Sequence, residues 1–246
     1  METWAEMSDA ERAEVVDALP SSWPDPKEMM SEGDYHSEVV SDVKDVLSGW
    51  YGRSGRSVYL AQGVMVYYPD QDTFAPDILA VLDASMHQRD SWVVAVEGRG
   101  LDLCIEVHWK GRKAKDLRRN VQRYAELGIP EYFVFDRRRM IVRGWRLPGP
   151  ALRVYEPIVP QGGCWTSLVL GLDIGLEGNR FRFYASGAVL PATSELLERA
   201  SRVVGELQDR LEAEAQRAEA EARRADAAQA RIEELERLLA EARKRE

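Results

Sequence analysis

The sequence has few cysteines and no long apolar run, and both deficits exclude classes of protein. Its 246 residues contain two cysteines, Cys104 and Cys164, which cannot by themselves form a disulfide framework or a cysteine-based zinc site. A reducing cytoplasm is therefore the expected compartment. No run of about 18 apolar residues occurs, so we expect no membrane-spanning helix and no membrane partner. The first six residues are acidic rather than basic, and we expect no secretory leader.

The chain also lacks an overall positive charge, which argues against a basic coat protein for nucleic acid. Its 33 basic residues stand against 42 acidic ones, and the net charge is −9. A protein of this length and 45% hydrophobic content can form one globular domain with an appendage. We divide it into residues 1–35, an N-terminal helix and loop, residues 36–191, an α/β domain, and residues 192–246, a coiled-coil helix.

The C-terminal segment contains no proline after Ser194 and is rich in alanine, glutamate, arginine and leucine. Apolar residues recur in it every seven positions, at Leu197, Val204, Leu211, Ala218, Ala225, Ile232 and Leu239. This period predicts one long helix in a coiled coil, most simply a homodimer. The many alanines bury little area, so the coil is expected to be weak. The alternatives are a single exposed charged helix, or a helix that folds back or binds another protein.

Apolar periodicity organises the central domain into alternating helices and strands. It predicts helices at residues 36–50 and 113–127 and strands at residues 57–68, 74–83, 92–97, 101–108, 131–136 and 140–147. Ser8 with Glu11 predicts a capped helix near the N-terminus. The order of helix, strands, helix and strand indicates an α/β core with a mixed β-sheet and a crossover helix.

Two carboxylates lie inside predicted strands, where a structural acidic residue is unusual. Asp77 follows Pro76 in an apolar run, and Glu106 lies within residues 101–108. Strand alternation places Glu106 on one face with Asp102, Cys104 and His108, opposite Leu101, Leu103, Ile105 and Val107. Burying a carboxylate without a partner is costly. A shared Mg²⁺ is one possible partner for Asp77 and Glu106, and nearby arginines are the other.

A helical face and a basic segment flank these carboxylates. Asp116, Asn120 and Tyr124 are spaced by four, so they share one face of the predicted crossover helix. The alternative is that they are ordinary polar residues at the boundary of the apolar stripe, with no role in a site. Residues 110–153 hold thirteen basic and four acidic residues, a local net charge of +9. A basic rim around a metal-binding centre favours phosphodiester cleavage; the alternative is a solvated face that balances the acidic coil. The basic side chains expected to contact nucleic acid are Lys110, Arg112, Lys115 and Arg119.

Five motifs follow one another along the chain: Pro76-Asp77, Glu106-Val107, Asp116 to Tyr124, Gly128-Ile129-Pro130-Glu131-Tyr132, and Asp136. Their order resembles the Uma family, a bacterial branch of the PD-(D/E)XK nuclease superfamily that is grouped with restriction endonucleases. The resemblance covers roughly residues 36–150. It implies a restriction-endonuclease-like core, in which helices flank a mixed β-sheet, and an endonuclease that hydrolyses DNA with Mg²⁺ or Mn²⁺. It further implies that Asp77 and Glu106 bind the metal and that Glu38 completes the metal site.

One feature departs from the superfamily pattern. The superfamily lysine lies two residues after the glutamate, where this chain has His108. The Uma branch has a lysine on the following helix, where this chain has Asn120. Asparagine can orient a water but is uncharged, His108 can act as a base or a ligand, and Lys113 or Lys115 can reach in from the loop. A catalytically degenerate module that binds DNA or another protein is therefore the alternative function.

Overall fold

The computed structural model describes residues 4, 6–20, 34–108 and 115–243, and side chains within 115–117 and 242–243 are not included. Two compact units divide the chain, Met1–Thr193 and Ser194–Glu246. The first unit begins with α1 (Asp9–Asp17). The Ser8 hydroxyl accepts the Glu11 N–H at 3.4 Å, and the Glu11 carboxylate accepts the Ser8 N–H at 2.8 Å, so the predicted cap is confirmed.

A six-stranded mixed sheet forms the centre of the first unit. Its strands lie in the order β1-β3-β5-β6-β7-β8, and only β5 and β6 are parallel. They are β1 (Val58–Gln62), β3 (Ile78–Leu82), β5 (Leu103–His108), β6 (Glu131–Asp136), β7 (Ile141–Arg146) and β8 (Glu156–Pro157). The parallel pair requires a crossover connection, as the sequence predicted. The α/β class with a mixed sheet is confirmed.

Helix α2 (Asp34–Ser54) confirms the predicted helix at residues 36–50 and extends it at both ends. The predicted strand at 57–68 is wrong in one respect, because the chain turns at Gly63 and forms two strands, β1 and β2 (Met65–Tyr67). Gly63 has φ of +61°, a conformation that residues with a side chain rarely adopt. Its N–H also lies 3.2 Å from the carbonyl oxygens of Pro76 and Asp77, which ties this turn to the start of β3.

Two further predicted elements differ from the structure. Residues predicted as the strand 92–97 form the short strand β4 (Ser91–Val93), which pairs with β2, and a single helical turn, α3 (Val94–Glu97). The turn ends at Gly98, whose N–H donates to Val94 O at 2.9 Å. The predicted helix at 113–127 is a π-helical segment, Lys115–Asn120, followed by α4 (Val121–Glu126). Its first two residues lie outside the described part.

The sheet is covered on both faces, so its strands are apolar on both sides. One core cluster joins α2 to Leu103, Ile105 and Val107, and the other joins α4 to Leu101 and Cys104. The alternation of β5 is thus as predicted from Leu103 onward. Leu101 was expected on the face of Leu103 and is not, because β5 begins only at Leu103. Glu106, by the same alternation, faces α4.

A second sheet, for which the sequence predicted nothing, packs beside α2. Its order is β12-β11-β10-β9, and all its pairings are antiparallel. The strands are β9 (Trp165–Ser167), β10 (Leu172–Glu177), β11 (Arg180–Ala185) and β12 (Ala188–Val189). Phe183 and Ile174 from this sheet lie in the same core cluster as α2, so the sheet completes the cover of one face.

The described residues of the second unit belong to α5, which spans Thr193–Arg243 as one helix of 51 residues. The predicted long helix is therefore confirmed, while its pairing in a coiled coil stays a prediction. Within the described residues, no helix combines the length and apolar character needed to cross a membrane.

Candidate functional site

Asp77 occupies the residue directly before β3, where two groups hold one of its carboxylate oxygens. Val107 donates its N–H to Asp77 Oδ2 at 2.7 Å, and His36 Nε2 lies 3.0 Å from the same oxygen. Val107 belongs to β5 and His36 to the first turn of α2, so the carboxylate joins the sheet to the helix. Its side chain is 21% exposed, so it is accessible to a ligand at the end of β3 where the strand begins.

Glu106 lies near the end of β5 and is buried, with 9% of its surface exposed. Tyr124 donates its hydroxyl to Glu106 Oε1 at 3.0 Å, and Asn120 Nδ2 donates to the same oxygen at 3.4 Å. Asn120 and Tyr124 lie four residues apart, so both reach the strand from one face of the crossover helix, as the sequence predicted. Two neutral donors thus contact the buried carboxylate and offset part of the cost of its burial.

The two carboxylates belong to neighbouring chain segments at the end of the β3–β5 pairing. Ile78 pairs with Ile105 in an antiparallel register, and Asp77 and Glu106 are the next residues beyond this pair. The contact of Asp77 with the N–H of Val107, the neighbour of Glu106, agrees with this placement. Among the residues that the structure describes, no group of three or more His, Cys, Asp and Glu is arranged to hold a metal ion. Two carboxylates nevertheless fit Mg²⁺, which usually keeps several waters and binds through one or two carboxylates.

Burial keeps the Tyr124 hydroxyl and the Cys104 thiol, both near Glu106, in their neutral forms. It raises the pKa of the Tyr124 hydroxyl well above its ordinary range, and the Glu106 charge adds to that shift. Burial, with a second contribution from Glu106, likewise raises the pKa of the Cys104 thiol. Tyr124 therefore remains a hydrogen-bond donor, and Cys104 is a buried thiol rather than a nucleophile.

A cavity of about 220 Å³ opens beside Asp77. Its walls are α2 and the turn between β1 and β2, through His36, Ser37, Val40, Ser41, Gln62 and Gly63. Among these residues, the polar side chains are the hydroxyls of Ser37 and Ser41, the amide of Gln62 and the imidazole of His36, and no lysine or arginine is present.

Comparison with known proteins agrees with the geometry. The Uma2 family, described as "Putative restriction endonuclease", matches residues 26–180, which is more than half of the chain. The chain belongs to the Uma2 family. The predicted family and the restriction-endonuclease-like core are therefore confirmed.

Among solved structures, the chain is similar to a "putative nuclease belonging to DUF820" from Anabaena variabilis ATCC 29413. The two chains share 12% sequence identity with a TM-score of 0.44. The match covers 56% of this chain and 74% of the other. No curated protein matches the chain.

The other predicted catalytic residues are Asn120, His108 and Lys113. Asn120, where the resemblance implied a lysine, is buried, and its amide contacts Glu106. His108 is also buried, at the last position of β5, and its strand position puts it on the face of Glu106. Lys113 lies outside the described residues. The catalytic roles given to these residues stay predictions.

Glu38 was predicted to complete the metal site, but it lies in an ion pair with Arg137. Arg137 Nη2 is 3.3 Å from Glu38 Oε2, and the Glu38 side chain is 61% exposed. The residue of α2 that contacts Asp77 is His36, which the sequence analysis did not select. A signal for it existed, because His36 precedes the buried Val40 by one helical turn and so shares its face.

The predicted nucleic-acid contacts lie mostly where the structure gives no description. Lys110 and Arg112 fall in the segment 109–114, and Lys115 begins the π-helical segment without a described side chain. Arg119 is exposed on that segment, one residue before Asn120. Its position places one exposed guanidinium next to the residues that hold Glu106.

Proposed function

We propose that this chain is a metal-dependent endonuclease that hydrolyses DNA phosphodiester bonds at Asp77 and Glu106. The observation that carries the proposal is the position of these two carboxylates, one residue beyond the last pair of the β3–β5 register, with Asp77 bonded to the N–H next to Glu106. Membership of a family named for restriction endonucleases supports the reaction class. DNA cleavage in the presence of Mg²⁺ or Mn²⁺, and its loss without them, is the experiment that tests it.

Asp77 and Glu106 would hold the metal ion. When bound, such an ion lowers the pKa of a water and offsets the charge on the leaving oxygen. The protein keeps both carboxylates oriented, since Val107 N–H and His36 hold Asp77, and Asn120 and Tyr124 hold Glu106.

DNA would approach the exposed side of the site from the direction of the basic segment, because its phosphates are attracted to positive charge. Lys110, Arg112, Lys115 and Arg119 would hold its phosphates, and His108 or Lys113 would move a proton to or from the attacking water. The cavity beside Asp77 would receive part of the nucleotide next to the cleaved bond. The exposed guanidinium of Arg119 supports this orientation.

The absent lysine supports a second candidate, a degenerate module that binds DNA or protein without cleaving it. In the enzyme, Asn120→Lys should leave cleavage within about tenfold of wild type, because related proteins hold a lysine there. His108→Ala or Lys113→Ala should be the damaging change, by about 100-fold, if that side chain transfers the proton. Initial cleavage rates on plasmid DNA measure these effects, with Arg53→Ala, in the exposed last turn of α2, as a control outside the basic segment. An inert wild-type chain that gains activity through Asn120→Lys would instead identify the degenerate module.

We also propose that α5 pairs two copies of the chain. Its seven-residue series remains at least half exposed within one chain, at Leu197 (68%), Val204 (53%), Leu211 (65%), Ile232 (50%) and Leu239 (59%). An apolar stripe on a helix is stable when another surface covers it. Two paired nuclease units could address both strands of a duplex.

A chain ending at Ala192 should be monomeric in light scattering, whereas the full chain should be a dimer at tens of micromolar. Leu211→Glu should dissociate the dimer, because it puts a charge into the apolar seam. Ala213→Glu, which lies on the opposite side of the helix, should leave the dimer intact. A monomeric full-length chain contradicts the pairing, and a truncated chain that remains dimeric assigns the interface to the first unit.

A further inference from the structure

Tyr124 is an aromatic residue of the core whose polar atom reaches the proposed metal site. Its side chain is 2% exposed, and its hydroxyl donates to Glu106 Oε1 at 3.0 Å. Because a buried hydroxyl has little access to water, the carboxylate is the partner that offsets its burial.

Two neighbouring rings fix the direction of this hydroxyl. The Tyr124 ring centroid lies 5.2 Å from that of Phe74 and 5.0 Å from that of Tyr132, which it meets edge to face. Ring pairs at these distances are favourable arrangements in close-packed cores. The ring therefore cannot turn away from Glu106 without disturbing both contacts.

The ring contacts explain an aromatic residue at this position but not its oxygen atom. A phenylalanine would make the same contacts with Phe74 and Tyr132. The hydroxyl adds one bond, and that bond falls on Oε1, the same oxygen that Asn120 approaches at 3.4 Å. Two donors thus contact the same oxygen of a flexible glutamate side chain.

We propose that Tyr124 is a positioning residue, whose hydroxyl orients the Glu106 carboxylate for binding of the divalent metal ion. The proposal rests on the proposed function, since it assigns Tyr124 a role through a metal ligand. Groups that orient metal-binding side chains commonly contribute to affinity although they do not touch the ion. Tyr124 donates its hydroxyl to the proposed metal ligand Glu106 and would orient it in this way.

Mn²⁺ binding to the full chain, followed through the free ion by electron paramagnetic resonance, tests this role. Tyr124→Phe should weaken the Kd for Mn²⁺ by about tenfold or more. Tyr155→Phe is the matched control, because it removes another buried hydroxyl of the same core cluster, which donates to Ile129 O at 2.7 Å and not to Glu106. It should leave the Kd within about twofold, although both variants lose one buried hydrogen bond.

A double variant tests whether the effect passes through Glu106. Tyr124→Phe added to Glu106→Gln should change the Kd by less than about twofold, because the carboxylate it positions is already absent. A further tenfold loss overturns the proposal, as does a Tyr124→Phe chain that binds Mn²⁺ like wild type or that does not fold. A wild-type chain that binds no Mn²⁺ overturns the proposed function as well, so the two failures are distinguishable.

Discussion

Asp77→Asn and Glu106→Gln should each reduce DNA cleavage by at least about 1000-fold, which corresponds to about 4 kcal/mol of transition-state stabilisation. Both substitutions preserve the size of the side chain and remove its negative charge. The loss is expected because each carboxylate would supply a ligand that an amide replaces poorly. Plasmid cleavage in Mg²⁺ and in Mn²⁺, with single-stranded DNA as a second substrate, measures it.

Asp83→Asn is the matched control for these variants. Asp83 follows β3 at its other end, is exposed, and has φ of +52°, which asparagine tolerates. It therefore receives the same chemical change on the same strand, away from Glu106, and cleavage should remain at the wild-type rate. Cleavage that survives in both Asp77→Asn and Glu106→Gln would show that the active centre lies elsewhere.

Glu131→Ala should destabilise the first unit by about 3–5 kcal/mol, because it leaves buried donors without their acceptor. Glu131 is 1% exposed and accepts Arg146 Nε at 2.6 Å and Leu168 N–H at 2.9 Å. It also accepts the Ser167 hydroxyl. One carboxylate at the start of β6 thus connects β6 to β7 and to the end of β9 through hydrogen bonds.

Urea unfolding followed by tryptophan fluorescence measures this loss in the first unit alone, since all seven tryptophans precede residue 166. Glu156→Ala is the control, because Glu156 is exposed and pairs with Arg146 across β7 and β8. That variant should change the free energy of unfolding by less than about 0.5 kcal/mol. A loss below about 1 kcal/mol for Glu131→Ala would mean that water or neighbouring groups replace its bonds.

The surroundings of Glu106 were largely predictable from local patterns. A six-residue strand alternates faces strictly, so Leu103, Ile105 and Val107 determine that Glu106 points to the other side. A spacing of four determines that Asn120 and Tyr124 lie together on a helix. Both patterns are short-range, and the contacts with Glu106 follow once the helix crosses back over its own strand.

The partner of Asp77 was harder to predict, because it depends on how α2 is rotated against the sheet. The N-terminal part of α2 offers both His36 and Glu38, and the family resemblance favoured the acidic residue as the third metal ligand. The buried stripe that contains Val40 and Val43 turns His36 inward and leaves Glu38 to Arg137. Packing between distant segments decided this contact.

The two edge strands of the second sheet gave no usable local signal. β12 has two residues and β9 has three, so they are too short for a period of two to be recognised. Gly63 shows the same limit, since only its contacts with Pro76 and Asp77 reveal that a turn interrupts the apolar run 57–68. Pairing with residues remote in sequence determines these elements.

A crystal structure of the chain with Mn²⁺, recorded at the manganese absorption edge, tests the metal-dependent site most directly. An anomalous peak within bonding distance of carboxylate oxygens from both Asp77 and Glu106 is the predicted result, and it should be weaker in Glu106→Gln. A crystal equilibrated with Mn²⁺ that shows no peak there, or shows one bound only by other residues, would contradict the account.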